Sequence, residues 1–537
     1  MKFGETPLDD AAGAILAHSV RAGRLSLKKG RVLQEADIEA LRNAEIESVV
    51  AARLEADDVG EDSAAARIAK ASAGANLKIS AAFTGRVNLY AQAPGIIAYD
   101  LDRLNAINLI DESATIAVLP PFQQVAPRQM VATIKIIPFA APEAVVLACE
   151  ALAGGNLVRI APFTARRVGL IQSSLPGTKA SVLDKTARVL TDRVTALGGT
   201  VLAENRCTHK SDAIRAEIDN LLAAGCDMVL IIGASAITDR RDVIPSAILD
   251  AGGGIDHFGM PVDPGNLLLL GHVGKVPALG LPGCARSPKL NGADWVLQRL
   301  FANVPVTAQD VMAMGAGGLL KEIPARPLPR AEATAAIVPS APKIAAIILA
   351  AGQSRRMGPT NKLLAEIDGQ AMVARVAAAI GTSQASPILA VLGHEADDVR
   401  AALGGSNVQF TENPHFAEGL STSLAAGIKA LPENVDGAIV CLGDMPRVSA
   451  TEIDRLIAAF NPLEGRAICV PTHNGKQGNR ILLAKRFFNE MLEITGDRGA
   501  RHLIDGYQKL TCEVEMTGDS VLVDVDTPKA LEHIRIT

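Results

Sequence analysis

The residues from Leu349 to Leu364, LAAGQSRRMGPTNKLL, are the part of the chain whose types and spacing best suit phosphate chemistry. They follow the apolar run Ile344–Ile348, which predicts a buried strand that ends in a turn of small residues. Such a turn lets backbone N–H groups approach an anion closely, because side chains do not obstruct them. Arg355, Arg356 and Lys362 add the positive charge that a triphosphate requires. The competing interpretation is an ordinary glycine-containing turn between a strand and a helix.

A second string, Cys441–Val448 or CLGDMPRV, supplies a carboxylate for the same chemistry. Attack on an α-phosphate requires positioning and cations, usually including Mg²⁺. Mg²⁺ is typically held in proteins by one or two carboxylates, with phosphate oxygens and water completing its shell. Asp444 follows a predicted strand and precedes Pro446, so we predict that it is a metal ligand. The alternative is a turn aspartate that caps the next helix.

The third string, Val521–Pro528 or VLVDVDTP, predicts a strand with Asp524 and Asp526 on one face. Two carboxylates on one face are costly unless a cation neutralises them. We therefore predict that Asp524 is the second metal ligand. We interpret Asp526 as structural, because it lies just before the predicted helix Lys529–Ile534, where an acidic residue is favourable.

Strands and helices alternate around these strings, which predicts an α/β sheet with helices on both faces. Ligands bind such sheets at the carboxyl ends of the strands, where the LAAG and GDMP strings fall. The predicted elements are the strands Ile344–Ala350, Pro387–Leu392 and Gly437–Leu442 and the helices Ala371–Ile380, Leu420–Leu431 and Ala450–Phe460.

Five strings occur in the order seen in the molybdenum cofactor cytidylyltransferases, which this part of the chain resembles: Leu349–Leu364, Asn413–Ile428, the GDMP string, Thr495–Arg501 and Val523–Pro528. The resemblance covers most of 343–537 and implies a nucleotide-diphospho-sugar transferase type of fold, CTP as substrate and Mg²⁺ as cofactor. It implies catalytic roles for Lys362, Arg356 and Asp444, and metal binding by Asp444 and Asp524. It implies nucleotide contacts from Leu349, Ala350, Ala351, Gly352, Ser354, Arg355, Gly358, Ser421 and Ser423. The chain departs from the family at Gly478-Asn479-Arg480, where a GNP-like string is usual.

The middle of the chain carries a second set of alternating elements. We predict strands at Arg167–Gln172, Thr200–Ala203 and Asp227–Ile232 and helices at Val182–Leu197 and Ser211–Ala224. The string Val229–Pro245 and the loops Gly259–Leu270 and Leu281–Trp295 resemble the molybdopterin-binding domain of molybdopterin adenylyltransferases and molybdate insertases. This resemblance is partial, because Gly233-Ala234-Ser235 replaces the usual TGG-type turn and the proline-closed loop is altered. It implies contacts to the pterin from Gly233 and Ser235, an acidic role for Asp239 or Asp242, and phosphate binding by Arg286, Ser287 and Lys289. The competing interpretation is an α/β scaffold that binds no pterin.

Length and composition indicate how many domains the chain has and which classes of partner are expected. A length of 537 residues predicts several domains, and a proline-rich stretch near 321–342 predicts a linker. We predict a mixed α/β region at 1–155, a molybdopterin-binding domain at 156–320 and a nucleotidyltransferase domain at 343–537, the last two doubly wound three-layer α/β/α folds. A net charge of −5 and an aromatic content of 3% argue against nucleic acid as a partner. Seven scattered cysteines and an acidic N-terminal stretch favour a reducing cytoplasm and argue against a membrane anchor.

The sequence thus predicts a cytoplasmic protein of molybdenum cofactor biosynthesis that uses CTP, Mg²⁺ and molybdopterin. The N-terminal half is expected to bind the pterin rather than to catalyse, and a molybdoenzyme or its chaperone is the expected protein partner. Three alternatives stay open: use of GTP, transfer to a sugar or polyol phosphate, and a carrier that binds nucleotide and cofactor without catalysis.

Overall fold

The structure is a computed structural model that describes residues 1–22, 25–320, 341–354, 357, 361–494 and 501–536. Within these ranges the chain forms one large sheet in its middle part and another in its C-terminal part, preceded by a region of smaller antiparallel sheets. The predicted linker at 321–342 lies almost wholly outside the described residues.

The C-terminal sheet is built around the strand Ile344–Ala350, every residue of which is buried. This strand pairs in parallel with Ile388–Leu392 on one side and with Gly437–Leu442 on the other. Because the chain moves first towards one edge and then crosses to the other, the carboxyl ends of Ile344–Ala350 and Gly437–Leu442 form a topological switch point. In spatial order the strands are Gln409–Glu412, Ile388–Leu392, Ile344–Ala350, Gly437–Leu442, Ile481–Ala484, Ile468–His473 and Lys476–Gln477, with Thr511–Glu515 also paired to Ile468–His473.

The helices of this part cover the sheet as the alternation predicted. They are Met372–Gly381, Ala396–Ala402, Leu420–Lys429, Ala450–Ala459, Phe488–Leu492, Arg501–Gly506 and Pro528–Ile536. The predicted strands Ile344–Ala350 and Gly437–Leu442 are confirmed at both ends, and the predicted helices are confirmed with small shifts at their ends.

The helix Leu420–Lys429 lies close to the sheet because Gly427 faces it. A Cβ atom at Gly427 would lie 2.7 Å from Cγ2 of Ile347 and 3.1 Å from Cγ2 of Val391. Both distances are shorter than ordinary packing permits, so the helix can approach this closely only without a side chain there. The close approach brings the first turn of the helix to the switch point.

The middle sheet is also covered on both faces. Alternate residues of its strand Met228–Ile232 belong to two hydrophobic clusters, with Leu230 in one and Val229 in the other. The helices Ala180–Ala196, Gly292–Phe301 and Ala308–Met312 contribute to the first cluster, and Ser211–Ala223 and Val243–Asp250 to the second. The strands in spatial order are Thr200–Thr208, Arg167–Ser174, Met228–Ile232, Val276–Leu281, Leu269–Val273 and Gly253–Phe258, of which the first four are parallel. All five predicted elements are confirmed here, and the strand predicted at Thr200–Ala203 extends to Thr208.

The N-terminal region contains two hydrophobic clusters of its own. The first joins the helix Glu35–Asn43 to a sheet of Lys2–Pro7, Ser48–Arg53 and Ile15–Leu16. The second joins the helices Glu61–Ser72, Leu101–Asn108 and Glu143–Ala153 to the antiparallel strands Ala114–Val118, Met130–Ile136, Arg86–Ala91 and Leu77–Ile79. The strand Val158–Pro162 pairs with Gly95–Tyr99, so the residues just beyond the predicted boundary at 155 extend a sheet of this region. The remaining short strands are Val20–Ala22, Leu25–Leu27, Asp58–Gly60, Gln124–Val125, Ala140–Pro142, Glu366–Ile367 and Gln370–Ala371.

The strand predicted across Val521–Asp526 is wrong. A 3₁₀ turn at Asp519–Val521 is followed by irregular chain that leads to the helix Pro528–Ile536. The backbone N–H of Val525 donates to the carbonyl oxygen of Asp444, with an N···O distance of 3.1 Å, instead of joining a strand ladder. Val521 and Val525 are buried while the aspartates are partly exposed. The alternation of valine and aspartate therefore reflects which side chains are buried, and an irregular segment can bury alternate side chains as well as a strand can.

The cysteines form no disulfide bonds. All seven cysteines are free thiols, and burial raises the pKa of Cys149, Cys207 and Cys441 to about 11. Among the described residues, the helices are too short or too polar to cross a membrane.

We expect Gly427→Val to destabilise the protein by about 1–3 kcal/mol, because the added atoms would push the helix Leu420–Lys429 off the sheet. Urea unfolding of the full chain measures this change. Gly381→Val is the matched control, since a Cβ atom at Gly381 would meet no neighbouring atom within 4 Å. Equal stability of the two variants would contradict the close packing described here.

Candidate active site

A cleft of about 500 Å³ opens at the switch point of the C-terminal sheet. It is formed by the end of the first strand and its turn, the segment around Lys362, the first turn of the helix Leu420–Lys429, and two aspartates. The lining residues are Leu349, Ala351, Gly352, Gln353, Ser354, Lys362, Leu363, Phe416, Ala417, Glu418, Gly419, Leu420, Ser423, Leu442, Asp444 and Asp526.

The ammonium group of Lys362 joins two carboxylates in this cleft. It contacts Oδ2 of Asp444 and lies 2.7 Å from Oδ1 of Asp526. The side chains of Lys362 and Asp444 are only 15% and 14% exposed, so water screens their charges weakly. Burial acts to lower the pKa of Lys362, but the charges and hydrogen bonds of the two aspartates outweigh it and the net shift is upward.

For the carboxyl group of Asp444, burial and the charge of its ion-pair partner act on the pKa in the opposite directions to those for Lys362. Burial raises the pKa of Asp444, the nearby charge of Asp524 adds to the increase, and Lys362 opposes it. The Asp444 carboxylate therefore gains from every cation close to it. Such a carboxylate at a strand end is suited to bind a metal ion.

Backbone hydrogen bonds bring the two aspartates together. Gly443 donates its N–H to the carbonyl oxygen of Leu349 at 3.1 Å, which ties the GDMP string to the end of the first strand. Val525 donates to the carbonyl oxygen of Asp444 at 3.1 Å, which brings Asp526 to the same place. Sequence-distant strings thus meet through main-chain contacts on both sides of Asp444.

The turn around Lys362 is held by Asn361 and Ser354. Asn361 is buried, and its side-chain oxygen accepts from the N–H of Leu363 at 3.1 Å. The hydroxyl of Ser354 accepts from the N–H of Lys362 at 3.1 Å, while Ser354 itself has a left-handed backbone with φ of 50°. These bonds aim the Lys362 side chain at the aspartates.

The opposite wall of the cleft is the start of the helix Leu420–Lys429. The buried Asn413 donates from its side chain to the hydroxyls of Thr422 and Ser423, both at 2.9 Å. Gly419 has a φ of 124°, a conformation that favours glycine, and it turns the chain into the helix. The first N–H groups of the helix therefore lie at the cleft, where they favour an anion.

The donor set fits a magnesium ion. Oδ1 of Asp444 is buried and has no hydrogen-bond partner among the described residues, which leaves one hard oxygen available. In those residues there is no cluster of three or more His, Cys, Asp or Glu side chains suited to hold a metal. One or two carboxylates completed by phosphate oxygens and water is the usual protein environment of Mg²⁺. The residues that would hold it are Asp444 and a second aspartate of the 521–526 segment.

The predicted residues of the C-terminal part fall into three groups. Leu349, Ala351, Gly352, Ser354, Lys362, Ser423 and Asp444 line the cleft. Ala350 and Ser421 are buried beside it, and Asp524 acts on Asp444 through its charge without lining the cleft. Arg355, Arg356 and Gly358 lie outside the described residues.

Asp526 and Asn361 are the residues whose place the sequence analysis did not anticipate. Asp526 was interpreted as structural because it lies just before the predicted helix Lys529–Ile534, yet its carboxylate contacts Lys362. Thr527 takes the structural role instead, since its hydroxyl accepts from the N–H of Ala530 at 3.3 Å. The metal role of Asp524 stays a prediction. The role of Asn361 could have been predicted from its position next to Lys362, because an asparagine side chain there can hydrogen-bond the backbone and fix a turn.

In the middle domain, Gly233, Ser235 and Arg286 come together at the carboxyl ends of the parallel strands. Nη2 of Arg286 donates to the carbonyl oxygen of Gly233 at 2.8 Å. Ser235 lies 3.1 Å from Nε2 of His209, whose Nδ1 lies 2.8 Å from the hydroxyl of Ser173. Burial lowers the pKa of Arg286, and the partners recorded for its guanidinium are neutral oxygens.

The other candidates of this domain have local roles in the structure. Asp242 caps the helix Val243–Asp250 by accepting from the N–H of Val243, and Asp239 forms an exposed ion pair with Arg241. The hydroxyl of Ser287 accepts from the N–H of Lys289 at 3.3 Å, and Arg193 donates to the carbonyl oxygens of both residues. Capping explains the position of Asp242 without any ligand.

Comparison with known families identifies the class of the C-terminal part. Residues 346–511 match the MobA-like NTP transferase domain. Residues 5–53 match a domain of unknown function, DUF8806. The C-terminal part of the chain is therefore a nucleotidyltransferase domain.

Two characterised relatives match this part. The molybdenum cofactor cytidylyltransferase of Escherichia coli K12 is 29% identical over 186 residues, which are 34% of this chain and 90% of that protein. The bifunctional protein GlmU of Stutzerimonas stutzeri is 35% identical over 118 residues, 22% of this chain, and the match spans only 25% of GlmU.

Two solved structures also align with this part. A nucleotidyl transferase of Methanothermobacter thermautotroptrophicus is 23% identical over 36% of this chain and 96% of its own, with a TM-score of 0.32. The Mycobacterium tuberculosis protein Rv0371c, crystallised in complex with manganese, is 25% identical over 36% of this chain and 99% of its own, with a TM-score of 0.31.

We expect Lys362→Met to destabilise the metal-free protein by about 2–3 kcal/mol, because the buried carboxylate of Asp444 loses its counter-charge, while that of Asp526, at 38% exposure, is largely screened by water. Mg²⁺ alone should recover part of this loss, so the rise of Tm with Mg²⁺ should be larger for Lys362→Met than for wild type. Lys343→Met is the matched control, since the Lys343 ammonium bonds the side chain of Asn434 at the surface. Equal Mg²⁺-induced shifts in all three proteins would contradict the counter-charge role.

Proposed function

We propose that the C-terminal domain transfers CMP from CTP to the terminal phosphate of a molybdopterin cofactor, with release of pyrophosphate and dependence on Mg²⁺. The main support is the position of the Lys362 ammonium group between the carboxylates of Asp444 and Asp526 at the switch point. Beside it, Oδ1 of Asp444 has no hydrogen-bond partner among the described residues. The cytidylyltransferase of E. coli, 90% of which aligns with this part, supports the choice of nucleotide and acceptor.

In this reaction an acceptor phosphate oxygen attacks the α-phosphorus of CTP. The bond from the α-phosphorus to its bridging oxygen breaks, and pyrophosphate leaves with the electron pair. Lys362 neutralises charge on the phosphate oxygens, and the N–H groups of the Leu349–Gly352 turn and of the helix start orient them. A bound Mg²⁺ supplies further positive charge at those oxygens. We assign Arg355, Arg356 and Gly358 to the same cradle on the sequence resemblance.

We further propose that the middle domain binds the pterin and presents it to the transferase domain. Arg286 is half-buried and has no acidic partner within the part of the chain that the structure describes, which is costly, and an anionic ligand would offset that cost. The contacts of Arg286 with Gly233 and the nearby Ser235 support a phosphate-binding role at the carboxyl ends of these strands. Asp239 and Ser287 stay candidates at the rim of this site.

A second candidate function is transfer to a sugar or polyol phosphate, the alternative that the sequence leaves open; part of the chain also matches the bifunctional protein GlmU over 118 residues. The test is pyrophosphate release by the full chain with each of the four NTPs, supplied with either molybdopterin or a hexose 1-phosphate. Release that requires molybdopterin supports the first proposal. Release that requires the sugar phosphate replaces it with the second candidate, and binding without release supports a carrier.

We expect Asp444→Asn to abolish the Mg²⁺-dependent release of pyrophosphate, because the amide keeps the shape but loses the charge that holds the cation. Asp526→Asn should be the next most damaging and Asp524→Asn the least, since Asp526 lines the cleft and contacts Lys362. Rates measured against Mg²⁺ concentration give the order. If Asp524→Asn is more damaging than Asp526→Asn, Asp524 is the second metal ligand, as the sequence predicted, and the order expected from the geometry is wrong.

We expect CTP to be used in preference to GTP, because the methyl group of Ala351 lines the cleft where the guanylyl enzymes are expected to carry glycine. One methyl group in a pocket changes discrimination by about 1–3 kcal/mol, so a preference is expected and not exclusion. The ratio of kcat/KM for CTP and GTP measures it, and Ala351→Gly should shift that ratio towards GTP. Equal use of both nucleotides by the wild type would replace the cytidylyl assignment by a guanylyl one.

A further inference from the structure

Arg480 is the largest of the fully buried side chains, with an exposure of 1%. It directly precedes the strand Ile481–Ala484, which pairs with the strand Gly437–Leu442 that leads to Asp444. Its Nη2 lies 3.3 Å from Oε2 of Glu452, whose side chain is 13% exposed. Nε and Nη1 of Arg480 have no hydrogen-bond partner among the described residues.

This arrangement is a poor way to stabilise a fold. Burial of an ion pair costs desolvation energy that a hydrophobic pair of similar size avoids, and two unsatisfied N–H groups add to that cost. Stability alone therefore does not explain an arginine at this position. The contacts made by its partner indicate another role.

The Glu452 carboxylate connects the two segments that carry the aspartates of the cleft. Its Oε2 accepts from the N–H of Ser449, which lies in the loop that begins at Asp444. Its Oε1 accepts from the hydroxyl of Ser520, just before the segment that leads to Asp526. Arg480, just before the strand Ile481–Ala484, forms an ion pair with this carboxylate. The N–H of the adjacent Asn479 donates to the carbonyl oxygen of Val521 at 3.3 Å.

The two segments are also joined on the cleft side by the bond from Val525 to the carbonyl oxygen of Asp444. One connection lies at the cleft and the other, through Glu452, lies behind it. The segments that carry Asp444 and Asp526 are therefore joined at two places. Glu452 and Arg480 do not line the cleft themselves.

We infer that the Arg480–Glu452 pair is a positioning device that sets the separation of the Asp444 and Asp526 carboxylates and thereby the affinity of the cleft for a divalent cation. The inference rests on the proposed metal-dependent function of that cleft. It assigns to Arg480 and Glu452 no contact with nucleotide or acceptor.

The test is Mn²⁺ binding by the full chain, followed by the EPR signal of the free ion, with Tm measured in parallel. The double variant Arg480→Met with Glu452→Met removes both charges and is expected to fold, with a Tm lowered by the loss of the hydrogen bonds that Ser449 and Ser520 donate to Glu452. Its Mn²⁺ affinity should fall by roughly tenfold or more, the usual effect of removing a group that orients a ligand. Arg480→Lys keeps the charge but loses the planar fork, so its affinity should lie between the two.

Asp454→Asn is the matched control, because Asp454 lies on the same helix but accepts from the N–H of Gln384 instead. This variant should keep the affinity of the wild type whatever its Tm. Wild-type Mn²⁺ affinity in the double variant would overturn the inference. If the double variant does not fold, wild-type affinity in Arg480→Lys would overturn it.

The outcomes separate this inference from the proposed function. A wild-type protein that binds no Mn²⁺ and releases no pyrophosphate would refute the proposed function. A wild type that does both, with Mn²⁺ affinity unchanged in the variants, would refute only the role of Arg480 and Glu452.

Discussion

The arrangement of the cleft in the C-terminal domain depends on the contact of the Lys362 ammonium group with the carboxylates of Asp444 and Asp526. Asp444 and Asp526 lie on segments far apart in sequence, and their charges would repel each other without a cation between them. Lys362 supplies that cation in the metal-free chain. Under the proposed function, a lysine held this way would already lie close to the phosphates, and the carboxylates close to the metal. Little reorganisation is then needed when nucleotide and metal bind together, which is how positioned charges contribute most to catalysis.

The sheet makes this contact possible by ending two parallel strands side by side. Ile344–Ala350 and Gly437–Leu442 are neighbours because the chain crosses from one half of the sheet to the other between them. The glycine at 427 lets a helix start next to the same strand ends, which adds N–H donors to a place already rich in charge. The apolar residues thus fix the location of the cleft, and the polar residues in the loops determine what it binds.

Periodicity predicted the two large sheets well because their central strands, Ile344–Ala350 and Met228–Ile232, are buried on both faces and read as continuous apolar runs. The alternation Val521–Asp526 misled, because it reflects burial of two valines along an irregular segment. The sequence therefore did not place Asp526 beside Lys362, since the position of a carboxylate relative to Lys362 depends on main-chain contacts between distant strings. The buried pair of Arg480 and Glu452 is a similar case. The sequence marked Arg480 only as a departure from a GNP-like string and gave no sign of Glu452, so only the fold shows that the two side chains meet.

Both large sheets place polar groups at the same kind of position, but the two sites differ in charge. The cleft of the C-terminal domain combines a lysine with aspartates, a balance that suits a metal–nucleotide complex whose charges are themselves mixed. The site around Gly233 has a half-buried arginine with neutral neighbours, a balance that suits an anion alone. If the acceptor is a phosphorylated pterin, the second site can hold it without metal, whereas the first requires metal to accept a triphosphate beside its carboxylates. Under the proposed function, this difference would give the two domains separate ligands rather than two copies of one function.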